Sequence, residues 1–225
     1  MPAYSVIEDR SSRVESADRS NEPSHVVRAE VDLRGRFVAA ADWVLVTDGF
    51  ANFKVKEVCR RAGLSTRCFY GVFANKDELL AAMLEKQFTG AAGHLRRTID
   101  PELPPVQRVR AHIDAMLDFG FDRRFDMPLA LFAMYWRALL PHFHELAERC
   151  VADFLASLVD AIAEGAADGA LHSPDPWADA KAIFHLVVAL LFDQPSSVDR
   201  RAEVEVTVRR LVGRALKAPA LVSPQ

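Results

Sequence analysis

The sequence predicts an all-α protein in two parts, a three-helix N-terminal domain and a larger helical domain behind it. Three observations lead there. Apolar residues recur at i, i+3, i+4 and i+7 through most of the chain, the spacing that lines one face of a helix. No stretch alternates as a half-buried strand does, and no internal repeat is present. Glycine and proline fall between the periodic segments, at Gly49, Gly63, Pro101 to Pro105 and Gly165 to Pro176, and divide them into helix-sized lengths.

With 225 residues, half of them hydrophobic, the chain can bury a sizeable core as one large domain or two modest ones. Its formal charge of -3 excludes bulk attraction to polyanions. A local patch is nevertheless present. From Asp32 to Lys76, eight basic residues (Arg34, Arg36, Lys54, Lys56, Arg60, Arg61, Arg67, Lys76) face four acidic ones (Asp32, Asp42, Asp48, Glu57), an excess of four. The three cysteines, Cys59, Cys68 and Cys150, cannot all pair and lack metal-ligand spacing. No apolar run reaches 18 residues and the N-terminus has no signal-like apolar region, so a reduced, cytoplasmic protein with no membrane partner is expected.

Residues 1–30 mix Ser, Arg, Glu and Asp without periodicity and read as a disordered tail, its arginines outnumbered by acids. From Leu33 to Asp48, Phe37, Ala40, Ala41, Val44 and Leu45 mark an amphipathic helix that Gly49 ends. Val55, Val58, Cys59 and Ala62 mark a second. Gly63 can take the left-handed conformation of a helix stop, letting Leu64 turn back to the core. Ser65 is placed to cap a third helix that opens on Thr66 and Arg67 and takes an inner side from Phe69, Tyr70 and Phe73. Two short helices about a tight turn, the second starting with short polar groups and a forked donor, have the chemistry of a helix-turn-helix. Asn75 and Glu78 form a capping box for a fourth helix with the stripe Leu79, Leu80, Met83 and Leu84. Lys76 at its N-terminus suits a phosphate, since ammonium and macrodipole both favour an anion there.

That helix should run to about Arg97. Pro101, Pro104 and Pro105 then break the chain, and Pro105 opens a helix through Val109, Ile113, Met116 and Leu117 that stops at Phe119 to Phe121. A short apolar helix covers Leu129 to Leu140, and Pro141 opens a longer one with Leu146, Cys150, Phe154, Leu158 and Ile162. The last two helices should cover Pro176 to Phe192 and Arg201 to Leu216.

Gly49-Phe50, Val55 to Ala62, Ala62-Gly63-Leu64-Ser65, Phe69-Tyr70, Phe73 and Asn75-Lys76-Asp77-Glu78-Leu79 together resemble the TetR family of transcriptional regulators. The ending Gly165-x-x-x-Gly169-x-Leu171 and the Asp175-Pro176 opening are similar to the family as well. The chain departs from it in carrying Lys54 for the usual Ser or Thr, Cys68 for Thr, and Val72 for His or Tyr. The resemblance implies a disordered tail (1–30), a helix-turn-helix domain (31–80), a ligand-binding and dimerisation domain (81–217) and a C-terminal tail (218–225). It also implies a double-stranded DNA operator, a homodimer and a small-molecule effector, with repression the commoner mode.

On that basis Lys54, Lys56, Tyr70 and Lys76 are expected at phosphates, with Thr66, Arg67 and Cys68 at base edges behind the Ser65 cap. The stripes Ile183, Phe184, Val187, Val188 and Leu191, then Val204, Val208, Leu211 and Val212, either pack on the chain's own core or pair with a second subunit. Two-fold reading of a near-palindrome favours the latter. Met116, Phe119, Phe132, Met134, Tyr135, Trp136, Phe143 and Phe154 are core or line an apolar pocket, with His112 and His185 as donors to a buried, largely apolar ligand. His142, His144 and Cys150 are weighed as metal ligands and taken as structural. Asp114 with Asp118, and Glu145 with Glu148, are taken as solvated faces. No phosphate loop, nucleophile elbow or zinc-helix motif is present, so neither an enzyme nor a cofactor is expected. Two alternatives stay open. One is a DNA-binding regulator without an effector, the other a helical lipid- or acyl-group-binding protein with a vestigial helix-turn-helix.

Overall fold

The computed structural model describes the backbone of residues 25–49, 53–121, 129–192 and 198–221, and the side chains of 32–49, 53–121, 143–191 and 200–221. Its helices are α1 (His25–Asp48), α2 (Val55–Ala62), α3 (Thr66–Val72), α4 (Lys76–Thr98), α5 (Pro105–Phe121), α6 (Leu129–Ala167), α7 (Pro176–Phe192) and α8 (Val198–Ala215), followed by a 3-10 turn (Pro219–Leu221). No strand occurs among the described residues. The fold is all-α, as the periodicity predicts.

In the N-terminal domain α1 to α3 close on an aromatic centre. Phe37 meets Phe69 edge-on at 5.4 Å and Phe73 at 6.2 Å. Gly63 ends α2 at φ 64°, with its N–H on Arg60 O at 3.3 Å and that of Leu64 on Cys59 O at 3.0 Å. These are the paired bonds of a Schellman stop. α4 is shared, since it packs on α1 and also forms the main partner of α6. Lys86 of α4 bonds Asp42 of α1 at 2.7 Å, tying the shared helix to the small domain. Around α6 stand α4, α5 and α7, while α8 lies across α5 and α7.

Several expectations change. α1 starts at His25, so part of the expected tail (25–30) is helical, and residues 1–24 lie outside the described residues. The two helices expected on either side of Pro141 meet within α6 at a break two residues later than expected, Phe143 at φ -133° and ψ 31°. The expected C-terminal tail is anchored in part, because Ala218 and Leu221 are buried and the turn they flank packs on α5 and α8. Tyr70, expected on the inner side of α3, points outward.

Candidate nucleic-acid interface

The geometry of α3 follows from its two ends. Ser65 Oγ accepts from Cys68 N at 3.1 Å, so the serine is committed to the helix start. Phe69 is fully buried, which fixes the rotation of the helix. Thr66, Arg67, Cys68 and Tyr70 are then left on the exposed side, Tyr70 with 62% of its surface open. Lys54 and Lys56, at the start of α2, are exposed beside them in sequence order. Among the described residues Lys54, Lys56 and Arg67 have no ion-pair partner.

Other members of the basic patch are held within the domain. The Arg34 guanidinium lies 4.8 Å from the Phe73 ring centre, and that of Arg61 3.8 Å from Trp43. Arg36 Nη2 donates to Ala62 O at 3.0 Å, so it satisfies a carbonyl at the end of α2. Arg60 is paired with Glu57, whose carboxyl this bond holds below the usual range. Lys76 is half-buried with its Nζ 5.1 Å from the Phe53 ring. Asn75 Oδ1 accepts from Glu78 N at 2.9 Å as the capping box requires. The reciprocal bond is displaced by one residue, Glu78 Oε2 accepting from Ala74 N at 2.6 Å.

In the larger domain His112, Met116, Phe119 and Phe154 are all buried. Phe154 joins Phe88 at 5.8 Å, Phe119 at 6.2 Å and Phe184 at 5.8 Å, so two of the expected pocket residues, Phe119 and Phe154, meet in one aromatic cluster spanning α4 to α7. Burial, reinforced by Arg108, pushes the His112 pKa down to about 4, against an opposing hydrogen bond to the Ser157 backbone. His185 departs from expectation, being exposed on the outer side of α7. The side chains of Phe132, Met134, Tyr135, Trp136 and His142 lie outside the described residues. Phe143 packs partly buried against the core. His144 pairs with Glu148 on the surface at 3.3 Å, and no metal-holding group occurs among the described residues.

Eight of the nine residues expected at a dimer contact are buried or packed in the chain's own core along α7 and α8. Ile183, Phe184, Val187, Val204, Val208 and Val212 are buried, Val188 and Leu191 pack partly buried against the same core, and only Leu211 is open. The periodic stripe on each helix is thus covered from within. The sides turned outward carry Ala178, Ala182, His185 and Ala189 on α7, and Val206 and Arg210 on α8. Asp114 and Asp118, expected in solvent, instead face α8, where they bond Arg209 and Arg201.

Comparison with known proteins agrees with this geometry. The sequence model described as bacterial regulatory proteins, tetR family, matches residues 37–83, which span α1 to the start of α4. The chain is 31% identical over 88 residues to the HTH-type transcriptional activator FasR of Mycolicibacterium smegmatis, covering 39% of this chain and 40% of that protein. In fold it is similar to Salmonella enterica GusR, with a TM-score of 0.66 at 20% identity, covering 84% of this chain and 97% of that one. It is also similar to RolR, solved in complex with resorcinol, with a TM-score of 0.62 at 18% identity, covering 88% and 97%. Residues 37–83 thus match the tetR family of bacterial regulatory proteins in sequence, and the chain shares its fold with solved structures over most of its length.

Proposed function

We propose that the chain binds a two-fold operator as a homodimer and represses transcription until a small, largely apolar molecule enters the helical domain. The observation that carries the DNA half is the outward row Thr66, Arg67, Cys68 and Tyr70, held in place by the Ser65 cap and the buried Phe69, together with the exposed Lys54 and Lys56 at the start of α2. Short polar groups and a forked donor suit base edges, and the lysines and the tyrosine hydroxyl suit phosphates. One seven-residue helix reads few bases, so two copies about one DNA turn apart, roughly 34 to 36 Å, supply the specificity. The second copy fits the open sides of α7 and α8, at Ala182, His185, Ala189, Val206 and Arg210, and not the stripes buried within the chain.

The ligand half is supported by the aromatic cluster around Phe119 and Phe154, and by RolR, a protein of this fold solved with a small aromatic molecule. A ligand seated against α5 and α6 acts by favouring one of two settings of α4, the helix shared with the reading domain. The boundary at residue 80 falls inside α4, so the two functional parts are joined by a continuous helix and not by a linker.

Selection of bound duplexes from a random pool tests the reading. A recovered near-palindrome with half-sites one turn apart is expected, and a pool that stays unenriched at low salt sinks it. The name of FasR as an activator favours a second reading of the sign. Transcription in vitro from the selected site separates the two, falling on addition of a repressor and rising with an activator.

A further inference from the structure

α5 has two working faces. Inward it carries the buried His112 and Met116, and Phe119 of the aromatic cluster. Outward it carries Asp114 and Asp118, and these meet a stripe of charges, Arg201, Glu205 and Arg209, at i, i+4 and i+8 along α8. Arg201 Nη2 bonds Asp118 Oδ1 at 2.6 Å and its Nη1 bonds Glu205 Oε2 at 2.7 Å. Arg209 Nη1 bonds Glu205 Oε1 at 2.6 Å and its Nη2 bonds Asp114 Oδ1 at 2.5 Å. Glu205 gives one oxygen to each arginine, so the five side chains form a single chain of bonds. Burial works against the Arg201 charge, but Asp118, Glu205 and Asp114 together more than offset it and hold its pKa above the ordinary arginine value.

The apolar part of the same contact is uniform, because Val204, Val208 and Val212 repeat along the buried side of α8. Valines at every turn tolerate a slide of α8 by one turn, about 5.4 Å. The charges do not. A slide in either direction moves one arginine off its aspartate and breaks the shared chain of bonds, a loss felt most at Arg209, the more buried of the two arginines. Register here decides where the outward residues Val206 and Arg210 stand.

We propose that Asp114 and Asp118 are positioning residues for the dimer: through Arg209 and Arg201 they fix the register of α8 on α5, and so the surface offered to a second copy. The proposal rests on the homodimer reading and makes α5 the common support of the aromatic cluster and the dimer face.

Sedimentation equilibrium on the full chain tests it, with Asp118→Asn, Arg201→Gln and the double variant, and the matching set at Asp114 and Arg209. Each single change is expected to weaken the dimer about 10-fold, and each double to cost little more than one single, because the two residues act as one unit. Asp118→Glu, which keeps the charge, is expected to retain most of the dimer, and α8 amides are expected to lose exchange protection in the neutral variants. Dimers as tight as the parent in every variant, or losses that multiply, overturn the positioning role alone. A parent chain that stays monomeric at all concentrations removes the dimer reading as well, so the two failures are distinct.

Discussion

At position 112 a histidine lies in the core of the larger domain, and its pKa of about 4 sits well below the ordinary 6.5 because burial disfavours the cation, Arg108 adding to the effect. The unfolded chain therefore takes up this proton first as the solution is acidified. The stability linked to His112 is fully present above about pH 6.5 and is lost as pH falls through 4, by about 3 kcal/mol at most. Urea unfolding of the parent should weaken between pH 7 and 4.5, and His112→Gln should flatten that slope. Equal slopes would show that other groups set the acid limb. On the reading face the predictions divide by what each cation touches. Arg67→Ala is expected to cost about 1 to 3 kcal/mol and relax preference at one base position in competition binding. Lys76→Ala is expected to weaken all sequences alike and reduce the salt slope by about one unit. Indistinguishable sequence profiles and salt slopes for parent and both variants would refute these roles. Composition revealed the charge of the patch but not its disposition. Arg34, Arg36 and Arg61 are engaged with Phe73, Ala62 and Trp43, partners far away in sequence that no local pattern announces.

Among the elements, those with chemical punctuation were legible in the sequence to within a residue or so. Gly63, Ser65, Asn75 and Pro105 each act on the backbone within four positions, so α2 to α5 could be placed before any contact was known. The start of α1 was not, because the apolar pattern of residues 25–32 is weak and Ser24, directly before them, is one of several serines in a stretch without periodicity. The ending Gly165 to Leu171 shows what such punctuation can hide. Gly169 sits at φ 78°, as a stop requires, but Gly165 is there for space. A Cβ on it would come within 2.6 Å of Leu171 Cδ1 and 3.0 Å of Pro105 Cβ, where the end of α6 meets the start of α5. Gly165→Ala should accordingly destabilise the fold by roughly 1 to 3 kcal/mol through overpacking. Gly90→Ala, on the exposed side of α4 with nothing within 4 Å, should stabilise it by up to about 1 kcal/mol. Thermal unfolding of the pair checks both signs, and a neutral Gly165→Ala would mean that Leu171 moves aside freely.

For the whole molecule the sequence shows that α7 and α8 have apolar sides, but periodicity cannot say whose surface covers them. Within the chain they are covered by its own core, Val187 and Val208 at 1% and 0% exposure. Whatever a second copy touches must be the opposite side. There the α7 residues Ala178, Ala182, His185 and Ala189 fall at i, i+4, i+7 and i+11, one face whose alanines let another helix approach closely, and Val206 stands 64% exposed on α8. An exposed valine costs a monomer little, so its place becomes informative only with a partner over it. Ala182→Arg and Val206→Glu are therefore expected to leave helicity and unfolding temperature near the parent's while sedimentation shifts from dimer to monomer. Operator retardation should fall with the dimer, because a single reading helix loses the second half-site. Val208→Ala should do the reverse, costing about 1 to 3 kcal/mol of monomer stability through the cavity it leaves while the outward face stays unchanged. If Val208→Ala separates the subunits and Val206→Glu does not, the partner lies on the side that the chain has already filled, and the two helices must repack when they associate.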